Sequence, residues 1–305
     1  MVYLAKDDDF YDFRGDWIYC GGEKEVEIPE YIHGELVTST ANMFCQHSIV
    51  GASPVTKVVL KHNHVTNMSQ MFKNCENMTN LDLSEFNTSK VTNMSHMFEW
   101  CRQLKIPDFS NFDMSNVTDI SHMFMRCNEL TSSDLLNLDT SNVTNMNGTF
   151  SECMSLTNFD LSKFNISNVT DMTALFYGCK YLTNVDLSNV DISKLQKINA
   201  MFMGCTDLTS LNLSNLDTSK ITNMGNMFRM CGKLKEIYAR TKEDAERLKE
   251  VLGTNGDSTK FYIREKENCD FKIALGNDEI ESIFLKDKNG ELKQLKIYRE
   301  KIIEV

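Results

Sequence analysis

The chain has 305 residues, of which 41% are hydrophobic and 25% charged, and a formal net charge of −11. That composition belongs to a folded globular protein and not to a disordered one. The acidity disfavours bare nucleic acid, whose phosphates would be repelled, and favours basic or cation-bearing partners. No run of 18 apolar residues offers a membrane-spanning helix.

The opening segment MVYLAKDDDFYDF carries an early acidic run and no apolar h-region. It predicts no secretory signal, and on that ground alone a cytoplasmic chain. Residues 15–64 follow with WIYCGG, VEIPEYIHG and VTKVVLKHN, strand-like runs broken by turn residues at irregular spacing. Residues 1–64 therefore read as an N-terminal cap holding one or two divergent coils.

From residue 65 to 240 the sequence repeats. Cysteines stand at 75, 101, 127, 153, 179, 205 and 231, a constant step of 26, and Phe72, Phe98, Phe124, Phe150, Phe176, Phe202 and Phe228 keep the same step three residues earlier. A period of 20–50 residues marks a solenoid, a propeller or an array, and a propeller blade needs about 40. One turn of a leucine-rich-type solenoid fits. No unit can bury its apolar face alone, but stacked units share one core. Seven coils spaced like neighbouring parallel strands, roughly 4.8 Å apart, span about 34 Å.

Two periods run inside each unit. Leu81 and Leu83 flank Asp82, and Leu161, Leu187 and Leu213 recur with Phe159, Val185 and Leu211 two residues earlier. This period of two predicts a short strand with its apolar residues inward and the aspartate outward. Phe72, Cys75 and Met78 are spaced by three, which predicts one or two helical turns capped by Ser69, Ser95 and Ser121. The stretch Val91-Thr92-Asn93-Met94 suits either a second strand or the helix start. Phe86, Phe112, Leu138, Phe164, Val190 and Leu216 form a further inward column. The Asn or Asp after each stands two residues before a Ser, as an Asx turn requires. Ile106-Pro107 and Ser133 break the pattern, and local ladder defects are expected there.

After Tyr238 the repeat ends. Thr241, Asp244, Ala245, Leu248, Val251 and Leu252 predict a capped amphipathic helix stopping at Gly253. The rest reads as short strands, with Asn289-Gly290 as a type I′ hairpin turn. Residues 241–305 thus form a small α+β tail. Its 13 basic and 15 acidic groups leave −9 of the −11 in residues 1–240.

Units such as VTNMSHMFEWCRQL, VTNMNGTFSECMSLTNFDLSKF and ITNMGNMFRMCGKLKEI resemble the BspA-like leucine-rich repeat proteins. They resemble the mycoplasma-lipoprotein-type repeats more closely still. The resemblance spans about residues 15–240. It implies a right-handed leucine-rich-repeat-like coil with a parallel β ladder, an α/β repeat solenoid in class. It also implies a bacterial surface or secreted protein of adhesion and host interaction, with no catalytic residue among the repeat positions.

The candidate partner-binding site is the outward ladder Asp82, Asp108, Asp134, Asp160, Asp186 and Asn212. Carboxylates about 5 Å apart repel by roughly 0.8 kcal/mol per pair in bulk water before screening. Hydroxyls, a cation such as calcium or a basic partner must relieve that cost. One reading is a face for a protein or glycan partner; the other is that each Asp bonds its neighbours and keeps the sheet soluble. The repeated cysteines fall on the apolar stripe and read as buried free thiols, leaving Cys20, Cys45 and Cys269 as the more reactive ones. His62 with His64, His96 with Cys101, and His122 with Cys127 match no tight zinc spacing, and His96 and His122 read as exposed. No nucleotide or nucleophile motif appears, so no cofactor and no enzyme activity is expected. N-x-S/T sequons at Asn67, Asn93, Asn116, Asn142 and Asn168 would invite glycans where coils must pack, which favours a bacterial, phage or cytosolic origin. An interaction module is the first reading, and a structural spacer whose tail makes the contact is the second.

Overall fold

In the computed structural model, residues 2–45, 55–105, 109–131, 138–253 and 259–263 are described, together with the backbone of strands between 271 and 304. Asp108, Asp134, Cys269, the breaks at Ile106-Pro107 and Ser133, and the Asn289-Gly290 turn lie outside the described residues. The elements in chain order are β1 (Tyr3–Leu4), β2 (Phe10–Phe13), β3 (Asp16–Tyr19), β4 (Glu25–Glu27), β5 (Tyr31–Ile32), β6 (Glu35–Leu36), β7 (Lys57–Val59), β8 (Asn158–Phe159), β9 (Asn184–Asp186), β10 (Ser210–Leu213) and β11 (Glu236–Ala239). Helix α1 (Lys242–Leu252), β12 (Lys260–Ile263), β13 (Phe271–Gly276), β14 (Glu279–Lys286), β15 (Leu292–Tyr298) and β16 (Lys301–Glu304) complete the chain.

The chain winds as a β-solenoid with two parallel ladders. The first follows the Leu-Asp-Leu segment. Strands β8 to β12 pair parallel, with Leu211 opposite Val185 and Ile237, each one coil away. At the other end β1, β4 and β7 pair parallel and continue through a Lys57–Asp82 bridge. The second ladder is a file of single bridges from Ser39 through Asn67, Asn93, Asp119, Asn145, Asp171 and Lys197 to Asn223. The stretch around Val91–Met94 is therefore strand-like. Its outward threonines bond back, Thr92 Oγ1 donating to the Thr66 carbonyl and Thr144 Oγ1 to that of Thr118.

Between the ladders runs a stack of turns, which corrects the expected helix. Amide hydrogens alternate. Those of Met68, Gln70, Phe72 and Asn74 donate to carbonyls of the next coil, while those of Met71, Lys73 and Cys75 donate three residues back. Each coil also places two residues four apart at positive φ, as in Gln70 with Asn74, His96 with Trp100, and His122 with Arg126. An α-helix accommodates neither feature, because its amides bond within the segment and its φ is negative. The period of three came from turns that bury every third side chain. Ser69, Ser95 and Ser121 are not caps: their amides donate to the side chains of Asn67, Asn93 and Asp119 at 2.8–3.0 Å.

The core is a pillar. Phe44, Phe72, Phe98, Phe124, Phe150, Phe176 and Phe202 stack with ring centroids 5.5–6.0 Å apart and planes within 18° of parallel. Phe44 stands 28 residues before Phe72, so the pillar begins one coil earlier than the 26-residue step reveals and crosses the 64/65 boundary without a break. The column from Phe86 to Leu216 is buried as expected. Tyr19 packs on Phe44 and closes the pillar, and Tyr3–Leu4 forms a ladder rung before the residue where coils were expected to start.

Helix α1 has the expected limits. Thr241 Oγ1 accepts the Asp244 amide, Gly253 follows at φ 59°, and Ala245, Leu248 and Leu252 are buried. Strands β12 to β16 extend the solenoid sheet as an antiparallel meander.

Ala200 holds φ 53° in the turn stack, where an L-residue pays about 1 kcal/mol. We expect Ala200→Gly to raise unfolding stability by about 0.5–1 kcal/mol and Ala200→Val to lower it by about 1–3 kcal/mol, both read from denaturant melts.

Candidate functional site

The outward ladder is built by the strand pleat. Leu81 and Leu83 point inward, so Asp82 between them faces out, and Asp160 and Asp186 do the same three and four coils on. Each carboxylate has a structural duty. Asp82 Oδ1 accepts the Ser84 amide at 2.9 Å, and Asp186 Oδ1 the Ser188 amide at 2.8 Å. Asp160 Oδ1 takes both the amide and the hydroxyl of Ser162, at 3.0 and 2.6 Å. Asn212, half-buried, accepts the Ser214 amide. The serine bonds hold the Asp82 and Asp160 carboxyls below the usual range. One oxygen therefore serves the coil, and in Asp82 the second meets Lys57.

Asp160 and Asp186 line a surface groove of about 430 Å³ with Asn158, Ser162, Asn184 and Asn189. Its donors and acceptors are amides, hydroxyl and carboxylates. Lys163 stands 4.0 Å from Asp160, and Asp186 makes no ion pair among the described residues. The sequence pattern did not show how this rank ends. At one end Lys57 Nζ sits on Asp82 at 3.2 Å and on Glu85 at 2.9 Å. At the other, the register carries Asn212 on to Tyr238 and Tyr262, whose rings stack at 5.2 Å. Only the pairing of strands from distant segments makes these neighbours.

The second set of Asx turns is as read. Ser89, Ser115, Ser141, Ser167, Ser193 and Ser219 donate their amides to Asn87, Asp113, Asp139, Asn165, Asp191 and Asp217. The sequon residues Asn116, Asn142 and Asn168 donate through Nδ2 to serine carbonyls of the preceding coil, at 2.7–2.9 Å. A glycan on that nitrogen would remove one of these two N–H donors.

The repeated cysteines are free and buried, and they do more than fill space. Cys101, Cys127, Cys153, Cys179, Cys205 and Cys231 each donate S–H to the phenylalanine carbonyl 29 residues earlier, at 3.0–3.2 Å. Burial pushes the Cys179 and Cys231 thiols up to about 12 and raises Cys101, Cys127, Cys153 and Cys205 as well. Cys45 was expected to be reactive. It is buried, directly after Phe44 and outside the column, and burial likewise pushes it up to about 12. Cys20 is the exposed thiol among the described residues.

The histidines also depart from expectation. His96 and His122 are half-buried and stacked, not exposed. They do not meet Cys101 and Cys127, whose thiols point inward. His62 Nε2 lies 3.1 Å from the Pro29 carbonyl and His64 Nε2 2.9 Å from Glu30 Oε1. Among the described residues no three His, Cys, Asp or Glu side chains converge as a metal site, and no helix is long and apolar enough to cross a membrane.

A family model described as "Mycoplasma protein of unknown function, DUF285" matches residues 38–156 and 127–240. No curated protein matches the chain. Among solved structures it is similar to a T. pallidum leucine-rich repeat protein, at 17% identity over 78% of this chain and 87% of that one, with a TM-score of 0.37. It is also similar to a leucine-rich cell surface protein from Faecalibacterium prausnitzii, at 16% identity over 88% and 95%, with a TM-score of 0.29.

The depressed carboxyls set the acid behaviour. Asp82, Asp113, Asp160, Asp191 and Asp217 all lie below the ordinary 3.8. Their stabilisation is full above that value and is lost as pH falls through the lowered values. Melting temperature should drop steeply below pH 4, and replacing Asp113 and Asp191 by Asn should flatten the drop. In thiol titration of the native protein, the eight buried cysteines from Cys45 to Cys231 should react only after denaturant is added. Cys153→Ala should cost about 1–2 kcal/mol for the lost bond and void.

Proposed function

The chain belongs to the DUF285 family, and from that premise we propose that it is a non-enzymatic protein-interaction module of the bacterial adhesion type. It holds a macromolecular partner on the polar, acidic sheet face. The observation that carries this reading is the outward carboxylates of Asp82, Asp160 and Asp186 with the groove at the last two. Rank and groove pair a fixed position with free acceptor capacity, because the serine bonds hold each carboxylate at one oxygen only. Lys57 supports a basic partner: its ammonium already seats on the ladder at Asp82. The carboxylates at Asp160 and Asp186 offer the same chemistry to a lysine or arginine brought by another molecule.

The repeat positions support recognition and not chemistry. Their serines, asparagines and aspartates are spent on Asx turns, and their thiols are buried and raised, so no repeated group is poised as a nucleophile or base. The resemblance to BspA-like repeats supports a cell-surface module in this reading. An alternative keeps the solenoid as a spacer and gives the contact to residues 241–305, whose strands β12 to β16 prolong the same sheet.

The test removes charge and keeps the fold. Asn212 fills the ladder position with an amide and still accepts its serine amide, so Asp160→Asn with Asp186→Asn should preserve the coil. We expect the double variant to melt within about 2 °C of the wild type and to lose at least tenfold in capture of basic extracellular proteins. The loss should shrink as salt rises, since the pairs are solvent-screened. Prey retained by the double variant would overturn the sheet-face reading and move the contact to the tail. Running the capture with calcium and with chelator shows whether a cation belongs to the interaction.

A further inference from the structure

The turn stack carries a cluster that neither the coil nor the carboxylate face explains. His96 and His122, at the same position of adjacent coils, stack with centroids 4.7 Å apart and planes 16° from parallel. His96 Nδ1 lies 2.6 Å from Glu99 Oε2, and Lys73 Nζ reaches the same oxygen at 2.8 Å. Burial raises the Glu99 carboxyl, but the bonds from His96 and Lys73 outweigh it and hold the group down to about 2. His122 has no such support. Its Nδ1 is buried with no hydrogen-bond partner among the described residues. Its ring lies over Gly148 of the next coil, where a Cβ would collide with it.

The surroundings decide what a proton on His122 would meet. The preceding coils present His96, Lys73 and Glu99, the last already shared by the first two; its own coil presents Asp119. The flanking Arg126 and Glu152 pair with each other at 2.8 Å, and Gly148 on the far side offers no side chain. We propose that the His96–His122 stack is an acid-released latch. Uncharged, His122 seats on Gly148 and seals the seam between their coils; protonated, it is driven off that seat and the seam loosens. Burial, and then His96, hold the His122 imidazole below its ordinary range. The sign follows from that direction: the contribution is full above pH 6.5 and is lost as pH falls through the lowered value. The loss begins at a higher pH than the one set by the aspartates, from 6.5 and not from 3.8.

Hydrogen exchange of the full chain tests the latch, with variants taken from the same column of the molecule. Asn42 and Asn226 hold φ 58° there and Gln70 holds 59°, so His122→Asn and His96→Gln suit the backbone. Corrected for intrinsic rates, exchange at residues 146–152 should run at least tenfold faster at pH 5 than at pH 7.5 in the wild type. His122→Asn should abolish that acceleration, and His96→Gln should move its midpoint to higher pH by removing the neighbouring imidazole. Equal acceleration in His122→Asn, or none in the wild type, would overturn the proposal. Should His122→Asn fail to fold, an NMR titration of the wild type decides: the His122 ring and the Gly148 amide should share one midpoint, and separate midpoints would overturn it.

Discussion

The bond from each cysteine thiol to the phenylalanine carbonyl of the coil before it ties three things together. It pins the inner edge of one turn to the next, it keeps the phenylalanine rings in a pillar, and it requires the two residues to recur at one step. The bond is weak taken singly. Repeated along the column, beside the amides that alternate between turn and neighbouring coil, it leaves the backbone no freedom to change length by one residue. An insertion of one within a ladder strand would turn the side chains that follow it in that strand to the wrong face. Between Phe44 and Phe72 the step is 28, and the two rings still stack.

That constraint divides the labour among side chains. Inward positions must be apolar or thiol, and turn positions must supply an Asx acceptor or accept positive φ. What the coil leaves over is the second oxygen of Asp160 and of Asp186 and the few side chains that differ between coils. The acidity of the solenoid follows: a carboxylate is a better Asx acceptor than an amide, and each one used for a turn leaves a charge on the surface. Lys57 relieves it at one end, while Asp186 stays unpaired among the described residues.

Individuality appears where the backbone is most uniform. The positive-φ positions share one conformation, yet they hold His96, His122, Gly148, Ala174, Ala200 and Asn226 in succession. A second column gives Trp100, with the Arg102 and Arg126 guanidinium groups over its ring at 4.6 and 3.9 Å, followed by Glu152, Gly178 and Gly204. Large side chains of one coil thus lie over small residues of the next, and the histidine stack is one product of that stagger. Positive φ is costly for most L-residues, so these positions are held by the inter-coil bonds on either side.

The 26-residue step, the period of two and the cysteine column by themselves determined a stacked solenoid, its buried columns, the outward aspartates and the Asx turns, and the capped amphipathic pattern after Tyr238 determined the terminal helix. Each of these depends on residues near in sequence or related by one repeat. The period of three did not separate a helix from consecutive turns, because both bury every third residue. Only the tertiary structure distinguished them, through amides that leave the segment for the next coil. It also decided which groups from neighbouring coils meet: Lys57 on Asp82, His96 on His122, Phe44 on Phe72. A linear pattern gives a residue its face. Which residue stands across from it follows from the closure of each coil and the register between coils.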